Sequence, residues 1–123
     1  MSKIVTAINA MISNPELITD SIQGCEDGEQ FFVYDKKHSW SITSNESGKF
    51  YLHYYPGSPD VYYLANIAGQ HWHQEEVKMV TYNSDILGTQ EALSSMKELQ
   101  SIVSEKVYGM DDVLEDIIKK GQL

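Results

Sequence analysis

Arginine is absent from this 123-residue chain, and nine lysines stand against eighteen aspartates and glutamates, for a formal charge of −9. The guanidinium is the side chain best shaped for bidentate recognition of phosphate, and nucleic-acid binding depends on cations that displace counterions. No nucleic acid and no anionic membrane is therefore expected as a partner. Cysteine is almost absent as well. Cys25 alone cannot close an internal disulfide, so the core must hold the fold, and a reducing, cytoplasmic location is expected. Long apolar runs are missing: a stretch such as Phe31-Phe32-Val33-Tyr34 is far short of the roughly 20 residues that span a bilayer. Near the start, Asn9, Ser13 and Asn14 break up the apolar residues that follow Lys3, so no signal peptide is expected. Catalytic signatures are lacking too, with no Gly-x-Ser-x-Gly elbow, no phosphate-cradling glycine loop and no HExxH. The expectation is a protein that is not an enzyme and carries no cofactor.

What is present fits one α+β domain over residues 1–123. Ile4, Val5, Ile8, Met11 and Ile12 recur at helical spacing, with Ser2 placed to cap them. Asn14-Pro15 ends that helix and predicts a second one, carrying Leu17, Ile18 and Ile22, that Gly24 stops. The segment from Cys25 to Glu29 reads as a polar loop. Five β-rich stretches follow: Gln30 to Tyr34, Ser39 to Thr43, Lys49 to Tyr55, Val61 to Ala68, and Glu76 to Tyr82. The breaks between them are short enough to join antiparallel neighbours, which predicts a five-stranded antiparallel meander. Helical period then returns. Leu93, Met96, Leu99, Val103 and Val107 form a stripe that Thr89 can cap and Gly109 can end. A last helix opens on Asp111 and Asp112 and closes on Lys119 and Lys120, the signs its dipole favours at each end. These two C-terminal helices are expected to pack on one face of the sheet, with the N-terminal helices completing the cover.

Three groups of side chains could carry chemistry. In an extended His71-Trp72-His73 the two imidazoles point the same way, so His71 and His73 could share a metal, with His53 or Glu75 completing the set. The same pair also reads as ordinary polar surface beside Trp72. Cys25 is a poor nucleophile, because Glu26 and Asp27 disfavour its thiolate. Tyr51, Tyr54, Tyr55, Tyr62 and Tyr63, followed by Trp72, crowd around the turn Pro56-Gly57-Ser58-Pro59. Rings of this kind bury large area at modest entropy cost and so serve as binding anchors, although strand packing uses them equally well. Glu91, Glu98 and Glu105 recur every seventh residue and line one side of the long helix, as a solvated face or as a docking row for a basic protein.

In size, charge and composition the chain resembles the acidic immunity proteins that protect bacteria from nuclease toxins, and phage-encoded inhibitors of host defence enzymes. No motif carries that resemblance. It implies a bacterial or phage protein that neutralises a basic, nucleic-acid-handling partner by covering its cationic groove, as monomer or homodimer. Two other classes compete with it: an adaptor or secretion chaperone that exposes apolar grooves to a client, and a small metal-dependent enzyme using His71 and His73.

Overall fold

The computed structural model describes residues 3–24, 29–67 and 78–121. Helix α1 spans Lys3–Ser13 and buries Val5, Ile8 and Met11, the face its spacing predicts. A single 3-10 turn, Pro15–Leu17, leads into strand β1, Ile18–Gln23. Strands β2 (Gln30–Tyr34), β3 (His38–Ser44) and β4 (Phe50–Tyr55) follow, then helix α2 (Val61–Ile67) and strand β5 (Val80–Asn83). The chain closes with a short helix α3 (Ser84–Leu87), the long α4 (Gln90–Val107) and α5 (Met110–Gly121). All five strands lie in one antiparallel sheet in sequence order, which is the expected meander.

Two assignments differ from the sequence expectation. The second helix is only the 3-10 turn; Ile18, Thr19 and Ile22 are strand residues paired with β2. A bulge explains the missing alternation. Ile18 pairs with Tyr34 and Thr19 with Val33, but the next partner pair is Ile22 with Phe31, so one extra residue stands in β1. That residue shifts the side-chain parity: Ile18 enters the core under α1 and α4, and Ile22 packs on the opposite sheet face. The stretch from Val61 is likewise a helix and not a strand. Its buried residues Val61, Leu64 and Ala65 fall at helical spacing, and Asp60 accepts the Tyr62 backbone N–H at 2.9 Å, as an N-cap does. Of the fifth stretch, β5 begins only at Val80; residues 76 and 77 lie outside the described set.

The sheet therefore carries helices on both faces. On one, α1 and α4 lie side by side over Phe32, Ile42, Phe50 and Leu52, and bury Ile8, Met11, Met96, Leu99 and Val103 against them. On the other, α2 lies across β1 and β2 and closes Val61, Leu64 and Ala65 over Phe31 and Tyr55. Helix α4 is capped by Thr89, whose Oγ1 accepts the Ala92 N–H at 3.0 Å. It ends where Gly109 takes φ +63°, a left-handed conformation that costs a residue with a Cβ about 1–2 kcal/mol. Helix α5 follows at the β1 edge of the sheet, and none of its residues is buried. Two buried serine hydroxyls are tied to neighbours: Ser39 Oγ donates to the Pro59 carbonyl at 2.7 Å, and Ser95 Oγ to Asn9 Oδ1 at 2.6 Å.

Candidate protein-binding surface

Helix α4 turns its apolar stripe to the sheet, so its opposite side is fixed outward, and Glu91, Glu98 and Glu105 are all exposed there. At 1.5 Å of rise per residue this row is about 21 Å long. Among the described residues none of the three carboxylates enters an ion pair. The row runs into a groove of about 640 Å³ between β1 and the α4–α5 junction. Ile18, Ile102 and Leu114 contribute apolar lining, while Glu16, Asp20, Glu105 and Asp111 bring four carboxylates against the single ammonium of Lys106.

Asp20 connects this groove to helix α2. It sits in the β1 bulge at φ +52°, a left-handed conformation that Asp tolerates better than most residues. Its Oδ1 accepts a hydrogen bond from the Tyr62 hydroxyl of α2 at 3.3 Å. Partial desolvation and the Asp20 charge both push the Tyr62 phenol above its ordinary range, so it stays protonated and continues to donate. Of the residues singled out in the sequence, Glu105 shares the groove with Asp20, while Tyr62 bonds to Asp20 from the α2 side, outside the groove lining; sequence reading passes over Asp20 along with Glu16. Ser21, beside Asp20 in the groove, has a buried Oγ with no partner among the described residues.

The remaining tyrosines do not form one patch. Tyr55 is fully buried, with its ring 5.9 Å from that of Phe31, which removes it from any interface in this conformation. Its hydroxyl lies 2.8 Å from Ser41 Oγ, which in turn donates to Glu29 Oε2 at 3.2 Å. Burial raises the Tyr55 phenol far above its ordinary range, so the hydroxyl acts as donor in this chain. Tyr51 and Tyr54 stand three residues apart in β4, an odd separation, and so point to opposite sides of the sheet. Tyr51 stacks on His53 with Lys49 Nζ 5.8 Å from its ring, and that ammonium also meets Asp85 at 2.8 Å, which raises its pKa. Tyr54 packs edge-on against Trp40 at 4.9 Å, beside an open aromatic groove of about 410 Å³ that Tyr34, Tyr82 and Met11 also line. The Trp40 indole N–H is buried there and meets no acceptor among the described residues. Tyr62 and Tyr63 are 45% and 48% exposed on the outer side of α2.

His71, His73, Trp72, Glu75 and Cys25 lie outside the described residues. Among the described ones, no three His, Cys, Asp or Glu side chains converge to hold a metal ion. His53, the suggested third ligand, has its Nδ1 2.9 Å from Thr81 Oγ1, and burial depresses its pKa, so the ring is neutral at pH 7. Among the described helices, none is long and apolar enough to cross a membrane.

No family model matches this chain, and neither a curated protein nor a solved structure shows significant similarity to it.

Proposed function

We propose that this protein is a non-enzymatic, acidic binding module that covers the cationic surface of a nucleic-acid-handling protein, in the manner of an inhibitor or immunity protein. One observation carries the reading: the unpaired carboxylate row of α4 runs into a groove whose lining adds Glu16, Asp20 and Asp111 to Glu105 around an apolar floor. Carboxylates that form no ion pair among the described residues keep their charge for an incoming cation, and the apolar floor supplies area to bury once contact is made. The exposed Tyr62, held by Asp20 on the α2 side of β1, adds an aromatic anchor that has already lost part of its freedom.

The test is a binding series against basic nucleases and DNA-binding proteins, read at low and high ionic strength and with duplex DNA as competitor. A complex that excludes DNA and weakens steeply with salt is expected. Binding of DNA by this protein itself, or turnover of a substrate, would refute the reading. A second reading, an adaptor or chaperone for an extended client, is favoured by the uncovered aromatic groove beside Trp40 and Tyr54. It requires unfolded or extended peptides to bind there with little dependence on salt.

A further inference from the structure

Strand β5 is an edge of the sheet, and its backbone is open on the outer side. Even-numbered residues of β4 turn their main chain toward β5, as Phe50 does in donating its N–H to Ser84 Oγ at 3.0 Å, so Leu52 and Tyr54 exchange bonds with Tyr82 and Val80 opposite them. Thr81, between those two, turns its N–H and C=O the other way. Among the described residues neither group meets a backbone partner, and Thr81 is exposed.

The two edges of the sheet differ. At the other edge β1 carries a bulge and the charge of Asp20, devices that keep an edge from pairing with another chain. Val80-Thr81-Tyr82-Asn83 has neither a charge nor a proline, and its register with β4 is unbroken over all four residues. The side chains beside it set what strand it can take. Trp40, Tyr54 and Val80 stand in one row across β3, β4 and β5, and with Tyr82 they line the aromatic groove, which has no Asp, Glu or Lys in its lining among the described residues. On the opposite face Thr81 stands beside His53. A strand added next to β5 continues both rows: its residue opposite Thr81 meets hydroxyl and imidazole, and the residues on either side of it point toward the groove.

We infer that β5 receives an extended, uncharged segment of another protein as a sixth strand, held by main-chain bonds to Thr81 and by apolar side chains at alternate positions over the groove. The inference uses a surface separate from the carboxylate groove and rests on the second reading above, for which it supplies the contact. A second copy of this chain suits β5 less well, because two molecules of formal charge −9 repel each other. Four residues offer few main-chain bonds. The affinity is therefore modest, with a Kd on the order of 10–500 μM.

Capped heptapeptides with Val, Leu, Phe or Tyr at every second position and Ser or Thr between them, titrated into the full chain by calorimetry, test this. At least one should bind with a Kd below about 1 mM, changing less than about threefold between about 0.1 and 0.5 M salt. An N-methyl group moved along that peptide should weaken binding at least about tenfold at alternate nitrogens and little at those between, since an added strand turns every second N–H to β5. Thr81→Pro should abolish binding while the sheet persists, because the N–H it removes faces outward from an edge; Thr81→Val, which keeps the main chain, should bind as the wild type does. Should the proline variant unfold, the N-methyl series still decides. If no peptide binds, the inference falls together with the second reading. If peptides bind without alternation along the N-methyl series, or bind a folded Thr81→Pro as well as the wild type, the groove keeps its client and the sixth strand is refuted. A wild-type dimer that Thr81→Pro dissolves would give the edge to a second copy and refute it too.

Discussion

Tyr55 and Tyr62 stand close in sequence and do different work, and substitution separates them. Tyr55→Ala removes a fully buried ring and should destabilise by about 3–5 kcal/mol, seen in urea unfolding; Tyr55→Phe, which strips only the hydroxyl from Ser41, should cost about 1–2 kcal/mol. Tyr62→Ala should leave the unfolding midpoint nearly unchanged, within about 1 kcal/mol, and weaken partner binding. The sequence identifies these rings as strand-compatible anchors but does not divide them. Both sheet faces are covered near Tyr55, so alternation alone cannot say which ring meets a helix. His53 gives a second test at this scale. Its pKa is depressed in the folded state, so the unfolded chain binds the proton more tightly, and this contribution to stability is lost as pH falls below about 6.5. Comparing unfolding midpoints of the wild type and His53→Gln between about pH 8 and pH 5 should show an acid-side loss in the wild type that the variant lacks. Equal pH dependence in the two would contradict the assignment.

Elements were legible where cap, period and burial agree. Helix α4 shows Thr89 at its cap, a single buried stripe and Gly109 past its end, and all three appear in the sequence. Strand β1 was hidden because its bulge at Asp20 moves Ile22 to the other sheet face, which removes the period of two and leaves Ile18 and Ile22 four residues apart, a spacing that reads as helical. Helix α2 was hidden by composition. Val61, Tyr62 and Tyr63 favour strands as single residues, and the helical spacing of Val61, Leu64 and Ala65 with Asp60 as cap was the better signal. The groove could not be foreseen while β1 was read as a helix, because its bulge is what brings Asp20 beside Glu105 and Tyr62. Asp20→Asn keeps a residue that tolerates the left-handed bulge and accepts the Tyr62 hydrogen bond while removing the charge. Unfolding should change by less than about 1 kcal/mol, while partner affinity falls and its salt dependence flattens, as calorimetry at two ionic strengths would show. A large loss of stability would instead make Asp20 a purely structural residue.

At the scale of the molecule the charge imbalance underlies the proposed function. On that proposal, a formal charge of −9 with no guanidinium favours a cationic protein over polynucleotide, acting across about one Debye length, roughly 8 Å at physiological salt. The fold gives that field a direction, since α4 holds its carboxylates along one line and the β1 bulge adds Asp20 at its end. The most direct measurement compares immobilised wild type with the Glu98→Lys/Glu105→Lys variant, each loaded with the basic protein fraction of the cells that make the protein. The wild type should retain a nucleic-acid-handling protein at about 0.1 M salt and release it to duplex DNA or to about 0.5 M salt, while the charge-reversed variant, folded alike, retains little. Equal retention by both columns, release by neither salt nor DNA, or capture of DNA by the wild type itself would contradict the account.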